Sequence, residues 1–178
     1  LLPTFLPLAD YLAINISSPN TVGLRRLQGR EMLEELLGAL ARERKLMMEV
    51  GEPGKPMLVK LAPDLSEEEL EDALGVIVDQ GMDGVIATNT TLGREGLRSK
   101  FQGESGGLSG TPLRGRSEEV LRQVVKKLDG RLPVISAGGI MTPEDAKRRL
   151  EMGAALVQVY TGLIYAGPGL VKEIVNRL

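Results

Sequence analysis

The sequence predicts an α/β fold: a TIM-type (β/α)8 barrel, of which this chain carries about five β/α units. Three observations predict it. Five short apolar runs alternate strictly with stretches of helical periodicity along the 178 residues. The runs are continuously apolar rather than alternating, as strands covered on both faces of a parallel sheet are. Each run also ends in a polar or glycine-rich segment. An open doubly wound sheet gathers its ligand loops at one switch point, whereas a polar loop after every strand fits a ring of strands around one ligand. A complete barrel takes about 250 residues, so five units leave three outside these residues.

Taken in order, residues 11–16 form the first strand, which stops in Asn15-Ile16-Ser17-Ser18-Pro19-Asn20-Thr21 because Pro19 cannot continue a ladder. A helix over about 31–48 carries Leu33, Leu36, Leu37 and Leu40 on one face, and the segment from Gly51 to Pro56 breaks it. The second strand, 57–61, runs into Lys60-Leu61-Ala62-Pro63-Asp64. Ser66 with Glu69 then reads as a capping box for a helix that buries Leu70, Ala73, Leu74, Ile77 and Val78. The third strand, 84–88, closes in Thr88-Asn89-Thr90-Thr91, and a long loop over 92–116 follows, rich in glycine and charge. A helix over about 117–128 presents Val120, Leu121, Val124, Val125 and Leu128. The fourth strand, 132–136, leads into Ala137-Gly138-Gly139-Ile140, and Thr142 caps the next helix with Pro143 at its first position. The fifth strand, 155–160, ends in Tyr160-Thr161-Gly162, and 169–178 is the last helix. All of it reads as one domain, 1–178.

Composition narrows the chemistry. A net charge of −2 with both signs interspersed leaves no footprint for nucleic acid or an anionic membrane. Cysteine is absent, which removes disulfides, thiol nucleophiles and thiolate metal sites. Histidine is absent too, so no His-bearing metal centre is expected, and any proton transfer must use a carboxylate, lysine, tyrosine or activated hydroxyl. No apolar run has the length of a membrane span, and residues 1–7 lack the charged n-region and cleavage site of a signal peptide.

The candidate ligand groups all fall at strand ends. Gly138-Gly139 and Tyr160-Thr161-Gly162 offer backbone N–H groups of the kind that cradle phosphate, and Gly106-Gly107-Leu108-Ser109-Gly110 adds a third cluster. Either strand-end pair alone reads as a tight turn, and the loop cluster alone as a flexible linker; the three together point to a phosphate-bearing cofactor. Lys60 alternates with Val59 and Leu61, so its ammonium faces the barrel mouth, where an anionic partner offsets the cost of burial, although taken alone it reads equally as a lysine snorkelling at a strand end. Asn15, Asn20 and Asn89 can donate and accept at once, which suits planar imide or carboxylate ligands, although asparagine is equally a turn residue. Ser17 and Ser18 read as turn formers, since no histidine exists to activate them. The acidic run Asp64, Glu67, Glu68, Glu69, Glu71 and Asp72 reads as a solvated helix start. The cations over 94–100 belong to a solvated loop able to act as a lid.

Several motifs stand in one order: Asn15-Ile-Ser-Ser-Pro-Asn20-Thr-Val-Gly-Leu-Arg25, Val59-Lys-Leu-Ala-Pro-Asp64-Leu, Ala87-Thr-Asn-Thr-Thr91, Gly106-Gly-Leu-Ser-Gly110 and Gln158-Val-Tyr-Thr-Gly162. With them the chain resembles, essentially end to end, the C-terminal part of the barrel of class 2, quinone-dependent dihydroorotate dehydrogenases. The resemblance implies an FMN-dependent barrel that oxidises dihydroorotate to orotate in pyrimidine biosynthesis and passes electrons to quinone. It implies Ser18 as the base for the C5 proton, where class 1 enzymes carry cysteine, while hydride leaves C6 for flavin N5. Asn15, Asn20, Asn89 and Thr90 would hold orotate, with Asn15 also within reach of the cofactor. Lys60 and Thr88 would contact the flavin, and Ser109, Gly110, Gly138, Gly139, Tyr160, Thr161 and Gly162 would surround its ribityl chain and phosphate.

The family's first three strands and its N-terminal quinone-tunnel hairpin have no counterpart in these residues. Peripheral attachment to the cytoplasmic side of a bacterial inner membrane is therefore expected only through that outside region. A barrel opened after five strands also leaves two edges and an apolar interior, so self-association is expected of these residues alone. The competing readings are a non-catalytic half barrel holding FMN or phosphate, and a different FMN barrel oxidoreductase.

Overall fold

The computed structural model describes residues 1–178 and contains a single five-stranded sheet. The strands are β1 (Leu12–Asn15), β2 (Met57–Leu61), β3 (Gly84–Ala87), β4 (Val134–Ala137) and β5 (Leu156–Gln158). All pairs are parallel and the spatial order is β1-β2-β3-β4-β5. That order decides between the two architectures. A doubly wound sheet reverses direction at a switch point, whereas strands laid down in chain order, each returning through a helix on one side, are a segment of barrel wall.

The helices are α1 (Leu2–Phe5), α2 (Arg30–Glu49), α3 (Glu67–Asp79), α4 (Arg114–Leu128), α5 (Pro143–Glu151), α6 (Thr161–Ala166) and α7 (Gly169–Arg177). The main apolar layer lies between sheet and helices. Met57, Val59 and Leu61 of β2, with Val85 and Ala87 of β3, meet Leu33 and Leu37 of α2, Leu70, Leu74 and Ile77 of α3, and Val120, Leu121 and Val124 of α4. A second, smaller cluster of Leu58, Ile86, Ile135 and Ala137 lines the concave face that is the interior of a barrel. Each strand of the wall thus sends one set of residues outward and the intervening set inward, as a period of two requires.

Local signals placed the helix starts. Ser66 Oγ accepts from the Glu69 amide while the Glu69 carboxylate accepts from the Ser66 amide, a complete capping box. Thr142 and Asp145 form the same reciprocal pair, with Pro143 at the first helical position. α4 begins three residues before its expected start because a 3-10 turn over Thr111–Leu113 leads straight into it, which shortens the long loop.

The outer strands depart from expectation. β1 pairs over four residues and β5 over three, each shorter than its apolar run. Being edges, they are not covered on both faces: Ala13 and Asn15 are exposed, and Leu156 is 59% exposed. Tyr160 is not in β5 at all; it precedes α6, whose six residues are too few to register as a periodicity.

Candidate active site

Loops at the C-terminal ends of β2, β3, β4 and β5 enclose one cavity of about 550 Å³. Lys60 comes from β2, Thr88, Asn89 and Thr90 from the loop after β3, and Gly107, Ser109 and Gly110 from the long loop. Gly138 and Gly139 follow β4, and Tyr160 and Thr161 follow β5. Ser109 and Thr161, far apart in sequence, meet through their hydroxyls at 2.9 Å. Asn15, Ser18, Asn20 and Gly162 are not on the cavity wall. Gly162 is buried beneath it, where a Cβ would stand 2.5 Å from the Ile140 carbonyl oxygen.

Asn15 joins the site indirectly. Its register partner is Lys60. Asn89 Nδ2 donates to Asn15 Oδ1 and to Ser17 Oγ, each at 3.0 Å, and Ser17 Oγ lies 3.3 Å from Asn15 Oδ1. Asn89 Oδ1 in turn accepts from the Thr90 amide at 2.8 Å. Two strand ends are thereby tied together, and the Asn89 amide is fixed in one orientation at the cavity wall. Ser17, read from sequence only as a turn former, is fully buried and a member of this network. Ser18 is half-buried, and its Oγ accepts from the Asn20 amide at 3.3 Å, which shapes the turn that carries both residues.

The lysine behaves as its alternation requires. Lys60 faces the concave side between Asn15 and Ile86 and lines the cavity. Burial alone holds its pKa below the ordinary lysine value, and no carboxylate offsets that burial. A half-buried ammonium without a protein counterion favours an anionic or electron-rich ligand in this cavity.

Asp64 requires a correction. It does not belong to the solvated acidic face of α3 but to a clamp between the strand-end loops. Its carboxylate accepts from Thr91 Oγ1, from the Leu92 amide at 3.0 Å and from Arg25 Nη1 at 2.7 Å. Arg25 also donates through Nε to the Ser17 carbonyl at 3.0 Å and through Nη2 to the Thr90 carbonyl at 2.8 Å. One guanidinium therefore holds the loops after β1, β2 and β3 in register. Burial pushes the Asp64 carboxyl up, but the hydrogen bonds from Thr91, Arg25 and the Leu92 amide outweigh it and hold the group below its ordinary value. Arg94 also departs from its reading as part of a solvated loop: it is half-buried and donates within that loop to the carbonyls of Glu104 at 3.2 Å and Gly106 at 2.5 Å.

Two glycines in the wall are required by close approach. A Cβ on Gly107 would lie 1.8 Å from Thr90 Oγ1, so only glycine lets the long loop pass over the loop after β3. Gly139 has φ +74°, and a Cβ there would fall 2.4 Å from the Arg114 Cα. Arg25 enters the sequence reading only as the end of a motif and Arg149 not at all, because the groups each one holds come together only in the folded sheet.

Strands wound in chain order, with the cavity and its tethers on loops at their C-terminal ends, place the chain in the β/α-barrel class. The family model for dihydroorotate dehydrogenase matches residues 1–178, and the chain belongs to that family. It is 52% identical over 169 residues to the dihydroorotate dehydrogenase (quinone) of Halorhodospira halophila, covering 94% of this chain and 49% of that protein. It is 50% identical over 172 residues to the enzyme of the same name from Idiomarina loihiensis, covering 97% of this chain and 52% of that protein. The crystal structure of ligand-free type DHODH from Eimeria tenella superposes with a TM-score of 0.91 at 40% identity, covering 99% of this chain and 52% of that one. The chain thus spans about half the length of the curated relatives it matches.

Proposed function

We propose that these residues form the FMN- and substrate-facing half of a quinone-dependent dihydroorotate dehydrogenase, oxidising dihydroorotate to orotate in pyrimidine biosynthesis. The observation that carries this reading is Lys60, a half-buried ammonium with no protein counterion, set between the asparagine network and the glycine turn. The donor set fits FMN. The Asn89 amide on the cavity wall and the Asn15 amide tied to it suit the edge of a planar imide, Lys60 favours electron density on a flavin, and the glycine turn with Tyr160 and Thr161, over the buried Gly162, suits a ribityl phosphate.

When bound, FMN would supply a two-electron acceptor for the hydride lost from C6 of dihydroorotate, with quinone as the final oxidant. The protein's own part is positioning and proton transfer. In the network held by Ser17, both N–H groups of Asn89 and the Asn15 Oδ1 are engaged, which leaves Asn15 Nδ2 as a donor and Asn89 Oδ1 as an acceptor toward the orotate ring, with Asn20 and Thr90 completing the grip. Ser18 takes the C5 proton, and its hydroxyl proton leaves through neighbouring hydroxyl or water, since no histidine is present to receive it. Thr88 and Ser109 with Gly110 contact the cofactor. Quinone access and peripheral membrane attachment belong to regions outside these residues, in which no helix is long and apolar enough to cross a membrane.

The test is an FMN titration followed by flavin fluorescence, with dihydroorotate then added anaerobically. Saturable binding with bleaching is expected, and a Ser18→Ala variant is expected to bind FMN normally and not bleach. Binding without bleaching in the unsubstituted protein would favour a non-catalytic FMN-holding half barrel or another FMN barrel oxidoreductase. Failure to bind FMN would overturn the reading.

A further inference from the structure

Arg149 is a fully buried arginine on α5, and it lies on the outer side of the sheet, away from the cavity. Its Nη1 donates to Ser136 Oγ at 3.2 Å, and its Nη2 reaches Ser117 Oγ at 2.8 Å, the Gly138 carbonyl at 3.0 Å and the Arg114 carbonyl at 3.3 Å. Its Nε makes no hydrogen bond and is ion-paired at 3.5 Å with Glu118 Oε1, which Arg148 Nε pairs at the same distance. Burying a cation is costly, and an apolar side chain would fill this space without that cost, so the contacts of this one ask for an explanation.

The explanation lies in the two peptide planes of the glycine turn. The Gly138 carbonyl is held on the outer side by Arg149 and by Ser117 Oγ at 2.8 Å, and the Gly139 carbonyl is held there by Arg114 Nε at 3.3 Å. Both planes are trans, so each N–H points opposite to its own carbonyl. The N–H groups in those planes are those of Gly139 and Ile140. Both residues are buried on the cavity wall, and neither N–H donates to any acceptor in the protein. Buried N–H groups are nearly always paired, so two consecutive free ones facing a cavity mark an anion position.

We propose that Arg149 is a positioning residue of a phosphate cradle: by holding the Gly138 carbonyl from behind the sheet, it turns the Gly139 and Ile140 N–H groups onto the phosphate monoester of the cofactor. The proposal rests on the FMN reading above and adds to it the device that sets phosphate affinity. Arg149 never touches the phosphate; its role is to fix a backbone orientation that the φ values of +100° at Gly138 and +74° at Gly139 make available.

The test compares FMN with riboflavin, which lacks only the phosphate, by fluorescence titration of the full chain. Unfolding midpoints are measured alongside. Arg149→Met is expected to weaken FMN about 10-fold or more while riboflavin affinity changes less than about 3-fold. Arg149→Lys is expected to restore a large part of the loss, because an ammonium still reaches the Gly138 carbonyl. If Arg149→Met does not fold, Ser117→Ala, which removes the second donor to the same carbonyl, is expected to show the same selectivity on a smaller scale. Equal losses for both ligands, or no loss for either, would overturn the proposal. An unsubstituted chain that bound riboflavin and FMN equally well would overturn it too, leaving the flavin site standing, whereas one that bound neither would overturn the cofactor reading itself.

Discussion

At the scale of single residues, Lys60 links stability to function. Its ammonium is desolvated on the concave face with no counterion, so the ligand-free protein bears a cost that a bound electron-rich ring would offset. Lys60→Met is expected to stabilise the ligand-free protein by about 1 kcal/mol, about 2–4 °C in melting temperature, and to weaken flavin binding. The sign of the pH effect follows from the depressed pKa. Between that value and the ordinary lysine value near ~10.4 the unfolded chain binds more protons, so stability due to this group rises with pH across that window. Melting curves at several alkaline pH values should show the rise in the native protein and its absence in Lys60→Met; the same rise in both would refute this account. Gly107 makes a second residue-level case. A methyl there would collide with Thr90 Oγ1 and with Pro19 Cγ, at 1.8 and 2.8 Å. Gly107→Ala should therefore cost about 1–3 kcal/mol in chemical denaturation, and a cost near zero would mean that the two loops separate freely.

At the scale of elements, the site depends on three loops held in register by Arg25 and Asp64. Asp64→Asn keeps the shape of the side chain but removes the charge that pairs Arg25, and is expected to cost about 1–3 kcal/mol. Its folded-state pKa is depressed, so the carboxylate's contribution is complete above the ordinary value near ~3.9 and is lost as pH falls through the depressed folded value. Acid unfolding of the native protein compared with Asp64→Asn measures this, and superimposable curves would remove Asp64 from the account. The clamp also marks where sequence reading stops. Period-two alternation was enough to turn Lys60 inward and Val59 and Leu61 outward, because alternation is a local property. The capping box at Ser66 and the cap at Thr142 were legible for the same reason, although Asp145 as the second half of the Thr142 box was not read. Asp64, two residues before the Ser66 cap, looked like part of the same acidic helix start, yet its partners are Arg25 and Thr91, which only the folded sheet brings near. Arg149 was invisible in the same way, since every oxygen its guanidinium donates to lies on β4, the turn after it, or α4.

At the scale of the whole molecule, the five-stranded wall is a partial cylinder with β1 and β5 as parallel edges. The edges are where the continuously apolar strands misled, because a run suited to burial on both faces is half-uncovered there. Leu156 is 59% exposed on β5, and Tyr160, Ile164 and Tyr165 beyond it are 70% or more exposed. One hydrogen bond joins the two edge regions, from Gln158 Nε2 to Tyr11 Oη at 3.3 Å. Unpaired strand edges beside an uncovered apolar face are templates for association. Produced as these 178 residues alone, the protein is therefore expected to associate in a concentration-dependent way, which sedimentation velocity at several concentrations measures. Leu156→Lys places a charge on the exposed side of β5, outside the main core, and is expected to shift the population toward monomer with little loss of folding stability. A native protein that sediments as one monomeric species at every concentration would mean that the edges are blunted by their shortness alone. Association unaffected by Leu156→Lys would move the contact to β1 or to the face of α6 and α7.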